Sequence, residues 1–282
     1  MPELPDLEIL RENLSDRVLD RTIGAVRVLR PGILKTFDPP VDALSGKRFR
    51  SISRRGKHLI FRLEEDCFLV VHLMVAGRMI VTGTATKATK ATGFLLELEG
   101  GQDLRLVEGG HVKRACVHVV TDPQNVPRIA AAGIEPLSDA FTVQALIGLV
   151  AGVRRQAKKV LIDQTLIAGI GTSYADEILF AAGISPLRYV NRLGAEDIER
   201  LHGSIRDVLA ASITAVREQV GRGALVNPPR GHMKVYKKEG HPCPVCATKI
   251  AEIRYAQTRT YYCPSCQAGG ETLPDRRRWI TK

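Results

Sequence analysis

The chain is short of acids. Its 282 residues carry 30 Asp and Glu against 41 Lys and Arg, a formal net charge of +11 and a sequence pI of about 9.6. A balance this basic disfavours basic partners and favours polyanions, of which nucleic acid is the commonest. Composition alone leaves a merely soluble basic protein open. No apolar run is long enough to span a bilayer, so no membrane partner is expected. The N-terminus is acidic and lacks the apolar h-region of a signal peptide, so a cytoplasmic protein is expected, nucleoid-associated when bound to DNA. No internal repeat is evident, which argues against a solenoid.

Cysteines are few and unevenly placed. Cys67 and Cys116 are isolated, whereas Cys243, Cys246, Cys263 and Cys266 form C-x2-C-x16-C-x2-C. A cytosolic setting argues against disulfides. Two C-x2-C turns can bring four thiolates onto one tetrahedral zinc, and four protein ligands leave no open position for catalysis. One structural Zn2+ is therefore expected, holding a hairpin too small to fold alone. Arg254, Arg259, Tyr261 and Tyr262 lie in that hairpin. They either face DNA or, for the tyrosines, pack over the metal.

The first stretch, "MPELPDLEIL", supports two readings. Pro5 suits the first turn of a helix, Asp6 and Glu8 suit its N-terminus, and Leu7, Leu10, Leu14 and Val18 recur at helical spacing. In the second reading, removal of Met1 exposes the secondary amine of Pro2 beside Glu3, a nucleophile next to an acid/base group. Both stay open on these residues alone.

Further along, "HLIFRL", "CFLVVHLMV", "RMIVTG", "GFLLELEG" and "RACVHVV" read as strands between polar turns. "TGTATKATKATG" reads as a polar hairpin loop. The prolines of "TDPQNVPRIAAAGIEPLSDA" mark a linker. From 141 the pattern is helical, and "AGIG" joins two helices with a turn able to aim backbone N–H groups at phosphate. The expected divisions are 1–125, a linker at 126–140, 141–234, and 235–282 with the basic tail "PDRRRWITK". That tail reads equally as a backbone-binding extension or an unstructured end.

Together these parts resemble the formamidopyrimidine-DNA glycosylase / endonuclease VIII family. The resemblance spans nearly the whole chain: "PELPDLE", "RRGKHLIF", "HLMVAGRM", "GIEPL", "KKVLIDQTLIAGIGTSYADEILFAAGISP" and "VYKKEGHPCPVC…TYYCPSCQ". It implies an α+β multidomain fold: an N-terminal β-sandwich with a helix, a helix–two-turn–helix domain and a C-terminal zinc-finger hairpin. DNA would bind between them, and a monomer is expected. It also implies a bifunctional DNA glycosylase and AP lyase. Pro2 would attack C1′ of a damaged nucleotide, displace the base and form an iminium, with β/δ-elimination following. Glu3 matches the acid/base residue, Lys57 a lysine that contacts phosphate and assists later steps, and Lys158 a phosphate-binding lysine.

The chain departs from the family where DNA is read. The usual inserted Met is Val75, and the usual Arg-Arg-Phe-Gly reads Gly110 to Lys113, with His111 as a partial substitute wedge. The turn Asn is Thr172. The finger arginine position is Thr258, with Arg259 shifted by one, and Asp6 stands where Glu is common. The segment "GRGALVNPPRGHMKVYKKEG" is shorter than in members that cap 8-oxoguanine with a loop. Wedge residues offset the few kcal/mol that base flipping costs. Their loss implies a preference away from 8-oxoguanine in duplex DNA, toward single-stranded, cross-linked or bulky lesions. A non-catalytic paralogue that binds damaged or structured DNA is the alternative.

Overall fold

A computed structural model describes residues 1–221, 228–255 and 258–274. Most of "PDRRRWITK" and six residues of the shortened segment before the zinc module lie outside this set. The chain forms two compact units: Met1–Ala132 with Ile213–Pro229, and Gly133–Ser212 with Arg230–Lys282. These groupings differ from the four-part division expected from sequence. The long helix contributes residues to both units, and the zinc module groups with the helical segment.

The first unit opens with α1 (Leu4–Val18), followed by β1 (Ile23–Val28), β2 (Phe49–Arg55), β3 (His58–Leu63), β4 (Phe68–His72), β5 (Gly77–Gly83), β6 (Thr92–Leu98), β7 (Gln102–Glu108), β8 (Cys116–Val120) and the short α2 (Pro127–Ala130). Two antiparallel four-stranded sheets result, in the orders β1-β6-β7-β5 and β2-β3-β4-β8. β1, β2 and β7 are the strands missed in sequence. β2 carries polar residues outward, with only Phe49 and Ile52 buried, so its apolar signal is sparse. "CFLVVHLMV" ends as a strand at His72 because Met74 takes a left-handed φ of 51° and the chain turns. Gly77 closes that turn: its N–H donates to the Leu73 carbonyl at 2.9 Å, and a Cβ there would lie 2.3 Å from the same oxygen.

The core lies between the sheets. Leu59, Phe61, Leu69 and Val71 from one meet Phe94, Leu96, Leu104 and Leu106 from the other, and Leu7, Leu10, Leu14 and Val18 of α1 join them. Burial of this apolar surface drives the fold at roughly 25 cal/mol per Å2. α1 packs on β2 and β3.

The second unit contains α3 (Val143–Val150), α4 (Ala157–Leu161), α5 (Thr172–Ala181), most of α6 (Ala195–Val220), the hairpin β9 (Ala251–Tyr255) and β10 (Thr258–Tyr262), and α7 (Pro264–Ala268). Gly133 packs so tightly on the turn before α5 that a Cβ would lie 2.2 Å from the Leu166 carbonyl oxygen. Here "GIEPL" pairs Ile134 with Ile167 in a parallel bridge.

Glu8 ties α1 to β2 through Arg54 Nε at 2.7 Å and pairs within the helix with Arg11 Nε at 2.8 Å. Burial pushes its carboxyl up, but the two guanidiniums outweigh this and hold it below the ordinary 4.5. The pairs therefore add stability above that value, which is lost as pH falls through the lower folded value. Glu8→Gln is expected to lower the melting temperature at neutral pH by a margin that shrinks on acidification. A margin independent of pH in a thermal melt series contradicts this.

Candidate active site and nucleic-acid interface

The amino-terminal centre is built by a helix cap. Glu3 is the N-cap of α1, with extended backbone at φ −116° and ψ −178°. Its side chain accepts the Asp6 N–H, and its own N–H donates to Asp6 Oδ2 at 2.9 Å. This reciprocal box satisfies two donors that a helix start otherwise leaves unpaired. Asp6 thus fills the N3 position of the cap. Pro2 is buried, Glu3 is 3% exposed and Met1 is 46% exposed. Cleavage after Met1 would therefore leave the Pro2 nitrogen at the boundary between core and solvent.

Lys57 follows Gly56 in the two-residue β2–β3 turn, where Arg55 pairs with His58. Gly56 has φ 55°, and its carbonyl accepts from Arg54 Nη1 at 2.9 Å. Burial drives the Lys57 amine below its ordinary 10.5, against the opposing charge of Glu3. Glu3 and Lys57 thus lie within electrostatic reach of one another within the first unit.

Two exposed loops of this unit carry Val75 and His111. At the first, His72 is pushed down to about 3 by burial, with the neighbouring His58 adding to the shift. Its neutral Nδ1 accepts the Met74 N–H at 3.0 Å and fixes the turn that presents Val75, which is 61% exposed. The second follows β7. Glu108 Oε1 accepts the N–H groups of Arg114 at 2.7 Å and Ala115 at 2.9 Å, while Oε2 meets Arg30 at 2.8 Å. The Glu108 carbonyl accepts from Lys113 Nζ. This clamp presents an exposed His111 and a Val112 that is 64% exposed. Sequence reading missed Glu108; the acid directly before Gly109-Gly110 was the available signal.

In the second unit Gln164 organises the glycine turn. Its Nε2 donates to the carbonyls of Ile162 at 2.9 Å and Ile170 at 2.7 Å, and its Oε1 accepts the Gly169 N–H at 2.9 Å. Gly169 sits at φ 89° and Gly171 is the N-cap of α5. Thr172 is therefore exposed at the first helical position, where free N–H groups and the helix dipole favour an anion.

Lys158, expected to bind phosphate, is turned inward. Its side chain is 6% exposed and lies 2.6 Å from Asp176 of α5. Its ammonium also donates to Thr260 Oγ1 at 2.8 Å and the Arg259 carbonyl at 2.9 Å. Burial pushes the Asp176 carboxyl up to about 7 against the pull of Lys158, and the Tyr261 N–H donates to it. Glu177, next along α5, accepts the N–H groups of Lys234, Val235 and Tyr236, each at 2.8 Å. The lysine thus fastens α4, α5 and the hairpin from inside, because its three N–H donors find internal acceptors. The hairpin tyrosines are also interior. Tyr261 is 4% exposed and Tyr262 fully buried, with the Tyr262 hydroxyl accepting the Leu273 N–H at 2.8 Å. Arg259 is exposed.

The four clustered cysteines place their sulfurs within 4.8 Å of one another. Cys246 Sγ is 3.4 Å from Cys263 and 3.5 Å from Cys266, and Cys243 is 3.9 Å from Cys266. A tetrahedron with Zn–S of about 2.3 Å has sulfur–sulfur edges of about 3.8 Å, so the donor set fits zinc.

Three family models match in chain order. They are the formamidopyrimidine-DNA glycosylase N-terminal domain over residues 1–114, its H2TH domain over 132–222, and a zinc finger found in FPG and IleRS over 240–269. The chain belongs to the formamidopyrimidine-DNA glycosylase family. It is 36% identical to the formamidopyrimidine-DNA glycosylase of Moorella thermoacetica over 260 residues, covering 90% of this chain and 95% of the relative. Identity to the Symbiobacterium thermophilum enzyme is 37% over 290 residues, covering 98% and 93%. Among solved structures, Lactococcus lactis Fpg with abasic-site DNA superposes at TM-score 0.84 with 27% identity, covering 94% of this chain and 99% of that one. The same enzyme with DNA containing N7-benzyl-Fapy-dG gives TM-score 0.86 at 28% identity, covering 95% and 100%. The zinc-finger match and the cysteine cluster identify the C-terminal module as a structural zinc site.

Removing one partner of a buried ion pair costs about 3–5 kcal/mol. Lys158→Ala is expected to lose stability on that scale in denaturant unfolding while leaving the salt dependence of DNA binding unchanged. A flattened salt dependence with unchanged stability would restore the phosphate role. Chelation of zinc is expected to unfold the hairpin, read as loss of amide-exchange protection across β9 and β10.

Proposed function

We propose that this chain is a bifunctional DNA glycosylase and AP lyase of base excision repair, acting as a monomer on damaged DNA and carrying one zinc ion. The observation that carries the reading is the amino-terminal centre. Pro2 is buried next to the capped start of α1, and Glu3 lies within electrostatic reach of the Lys57 amine. An amine attacks only when neutral, and the positive end of a helix disfavours its cation. With Met1 removed, the Pro2 nitrogen bonds to C1′ as the C1′–base bond breaks, and the base leaves with the electron pair and takes up a proton. The nitrogen then loses its proton as the sugar C1′–O4′ bond breaks and O4′ takes up a proton, giving an iminium that draws electrons from C2′, whose proton is lost as the flanking phosphate departs. Glu3 moves protons at the sugar, and Lys57 assists the elimination.

The substrate follows from the two loops. Val75, His111 and Val112 are short, so little intercalation offsets unstacking. Lesions whose bases are already poorly stacked are preferred: single-stranded, cross-linked or bulky ones over 8-oxoguanine in duplex DNA. Thr172 at the start of α5 supplies backbone contact.

Borohydride trapping on an abasic oligonucleotide tests the chemistry. Protein lacking Met1 should give a covalent adduct, and protein retaining Met1 should give none. Glu3→Gln should lose about 10²–10⁴-fold in base release. Absence of any adduct from the Met1-free protein leaves the binding-only paralogue as the answer. Parallel rates on duplex 8-oxoguanine, an abasic site, a single-stranded oxidised pyrimidine and a bulky adduct test the preference, which falls if duplex 8-oxoguanine is cleaved fastest.

The lowered Lys57 amine sets a pH limb. Activity that needs its cation declines on the alkaline side at a lower pH than an ordinary lysine would give. Lys57→Arg, charged throughout the accessible range, should move that limb upward in a pH–rate profile of trapping. A limb that stays in place assigns it to another group.

A further inference from the structure

Phe37 is the most exposed large apolar side chain among the described residues, at 78%. The chemistry proposed above makes no use of it. A single exposed apolar residue is ordinary, so its meaning depends on what holds and surrounds it. The backbone that carries Phe37 is held. Leu34 forms a parallel bridge with Val117 of β8, and the Lys35 N–H donates to the Val117 carbonyl at 2.9 Å. Thr36 Oγ1 accepts the Val119 N–H at 2.7 Å. This segment extends the sheet β2-β3-β4-β8 beyond its edge strand, and Phe37 stands where the pairing ends.

Val117 and Val119 join the core between the sheets, so the alternation of β8 sends Cys116 and His118 to the outer face. Register sets His58, His72 and Cys116 side by side across β3, β4 and β8. The surroundings of this row are basic. The charge of Lys57 reaches His72, that of Arg128 in α2 reaches His58, His72, Cys116 and His118, and that of Lys35 reaches Cys116 and His118. Glu108 also reaches Cys116, but Arg30 pairs with it. Lys35 and Arg128 are exposed. Lys35 Nζ donates to the Gly32 carbonyl at 2.7 Å, and Arg128 Nη1 to Met74 Sδ at 3.6 Å. Both partners are neutral, so both charges are kept. Asp38, directly after Phe37, is an exposed acid. Two residues span at most about 7 Å, which keeps the Phe37 backbone close to Lys35. Strands lie about 4.8 Å apart, so about 14 Å separates β3 from the Lys35 segment. At about 3.4 Å of strand per phosphate, that distance takes roughly four nucleotides.

We propose that Phe37 is a stacking platform for an unpaired base of a single strand that crosses this face past Arg128 and Lys35. Every base has a π-face, so an aromatic ring beside cations holds single strands with little regard to sequence. Bases within a duplex are already stacked and gain nothing from the ring. A second copy of this chain is a poorer occupant, because a two-fold contact at Phe37 would bring the same cations together. The inference rests on the proposed substrate preference and deepens it: Phe37 rewards a single-stranded flank beside the lesion.

The test is fluorescence anisotropy of the zinc-loaded full chain on labelled duplexes carrying a tetrahydrofuran abasic analogue. The duplexes are blunt, or carry an unpaired oligothymidine flank of two, four or six nucleotides on the 5′ or the 3′ side. The parent chain should gain affinity as the flank of one polarity approaches about four nucleotides. Phe37→Ala should reduce that gain by about 5- to 150-fold and leave blunt-duplex affinity unchanged. Phe37→Leu should lose the gain as well, whereas Phe37→Trp should keep it and show indole fluorescence quenched by the flank. Lys35→Ala should flatten the salt dependence of flank binding by roughly one unit. Melting temperatures should match the parent, since these side chains are exposed. A flank gain that survives Phe37→Ala, or a loss shared equally by the blunt duplex, overturns the platform. So does a parent dimer that Phe37→Ala dissociates in sedimentation. Lesion-free oligothymidine separates the two readings. If Phe37→Ala loses its binding while the parent forms no borohydride adduct, the catalytic reading fails and the platform stands.

Discussion

The reciprocal cap at the start of α1 is the constraint on which the amino-terminal centre depends. A chain terminus is ordinarily the least ordered part of a domain. Here the first residues are held because α1 is itself buried along Leu7, Leu10, Leu14 and Val18, and because Glu3 and Asp6 satisfy one another's backbone N–H groups. The cap does two jobs with two carboxylates. It ends the helix in a defined geometry, and it holds Glu3 beside Pro2 and within electrostatic reach of Lys57. Glu8, one turn on, links the same helix through Arg54 to the hairpin that carries Lys57. The lysine is thus placed by the helix it serves.

A similar economy governs the second unit. Two consecutive acids of α5 fasten two segments that follow much later in the chain. Asp176 meets Lys158 and the Tyr261 N–H, and Glu177 gathers three successive backbone N–H groups at 234–236. Buried charges are costly unless paired and hydrogen-bonded. Asp176 is paired and both are hydrogen-bonded, so α4, the 234–236 segment and the zinc hairpin are held by two neighbouring acids of α5. The zinc supplies what the hairpin lacks, since a five-residue pair of strands has too little apolar surface to persist alone.

Much of the centre was legible in the sequence because the relevant spacings are short. The helical period after Pro5, the C-x2-C pairs and the "AGIG" turn are all local, and each carries its own geometric consequence. What was not legible turned on distant partners. The internal ties of Lys158, expected to bind phosphate, escaped notice because its acid lies eighteen residues on and its other acceptors about a hundred residues on. β2 and β7 escaped notice because their burial is decided by neighbours in the sheet, and β7 hides the buried pair Asp103–Arg105 among its apolar residues. Glu108 and Gln164 are ordinary polar residues until the fold turns them onto backbone N–H groups or guanidiniums.

By itself the sequence determined the kinds of group available: an N-terminal proline beside an acid, a lysine in a glycine turn, four paired thiols and an excess of positive charge. It also determined the helix and the zinc module, because periodicity and metal-ligand spacing are properties of neighbouring residues. Only the tertiary structure decided which charges face inward and which face solvent. Lys158 and Arg259 are both basic residues in motif-bearing segments, yet one is an internal tie and the other stands at the surface. The reason is that burial and pairing depend on what arrives from elsewhere in the chain. In the hairpin they depend also on the two-residue alternation, which sends Thr260 inward to Lys158 and Arg259 outward beside Arg254.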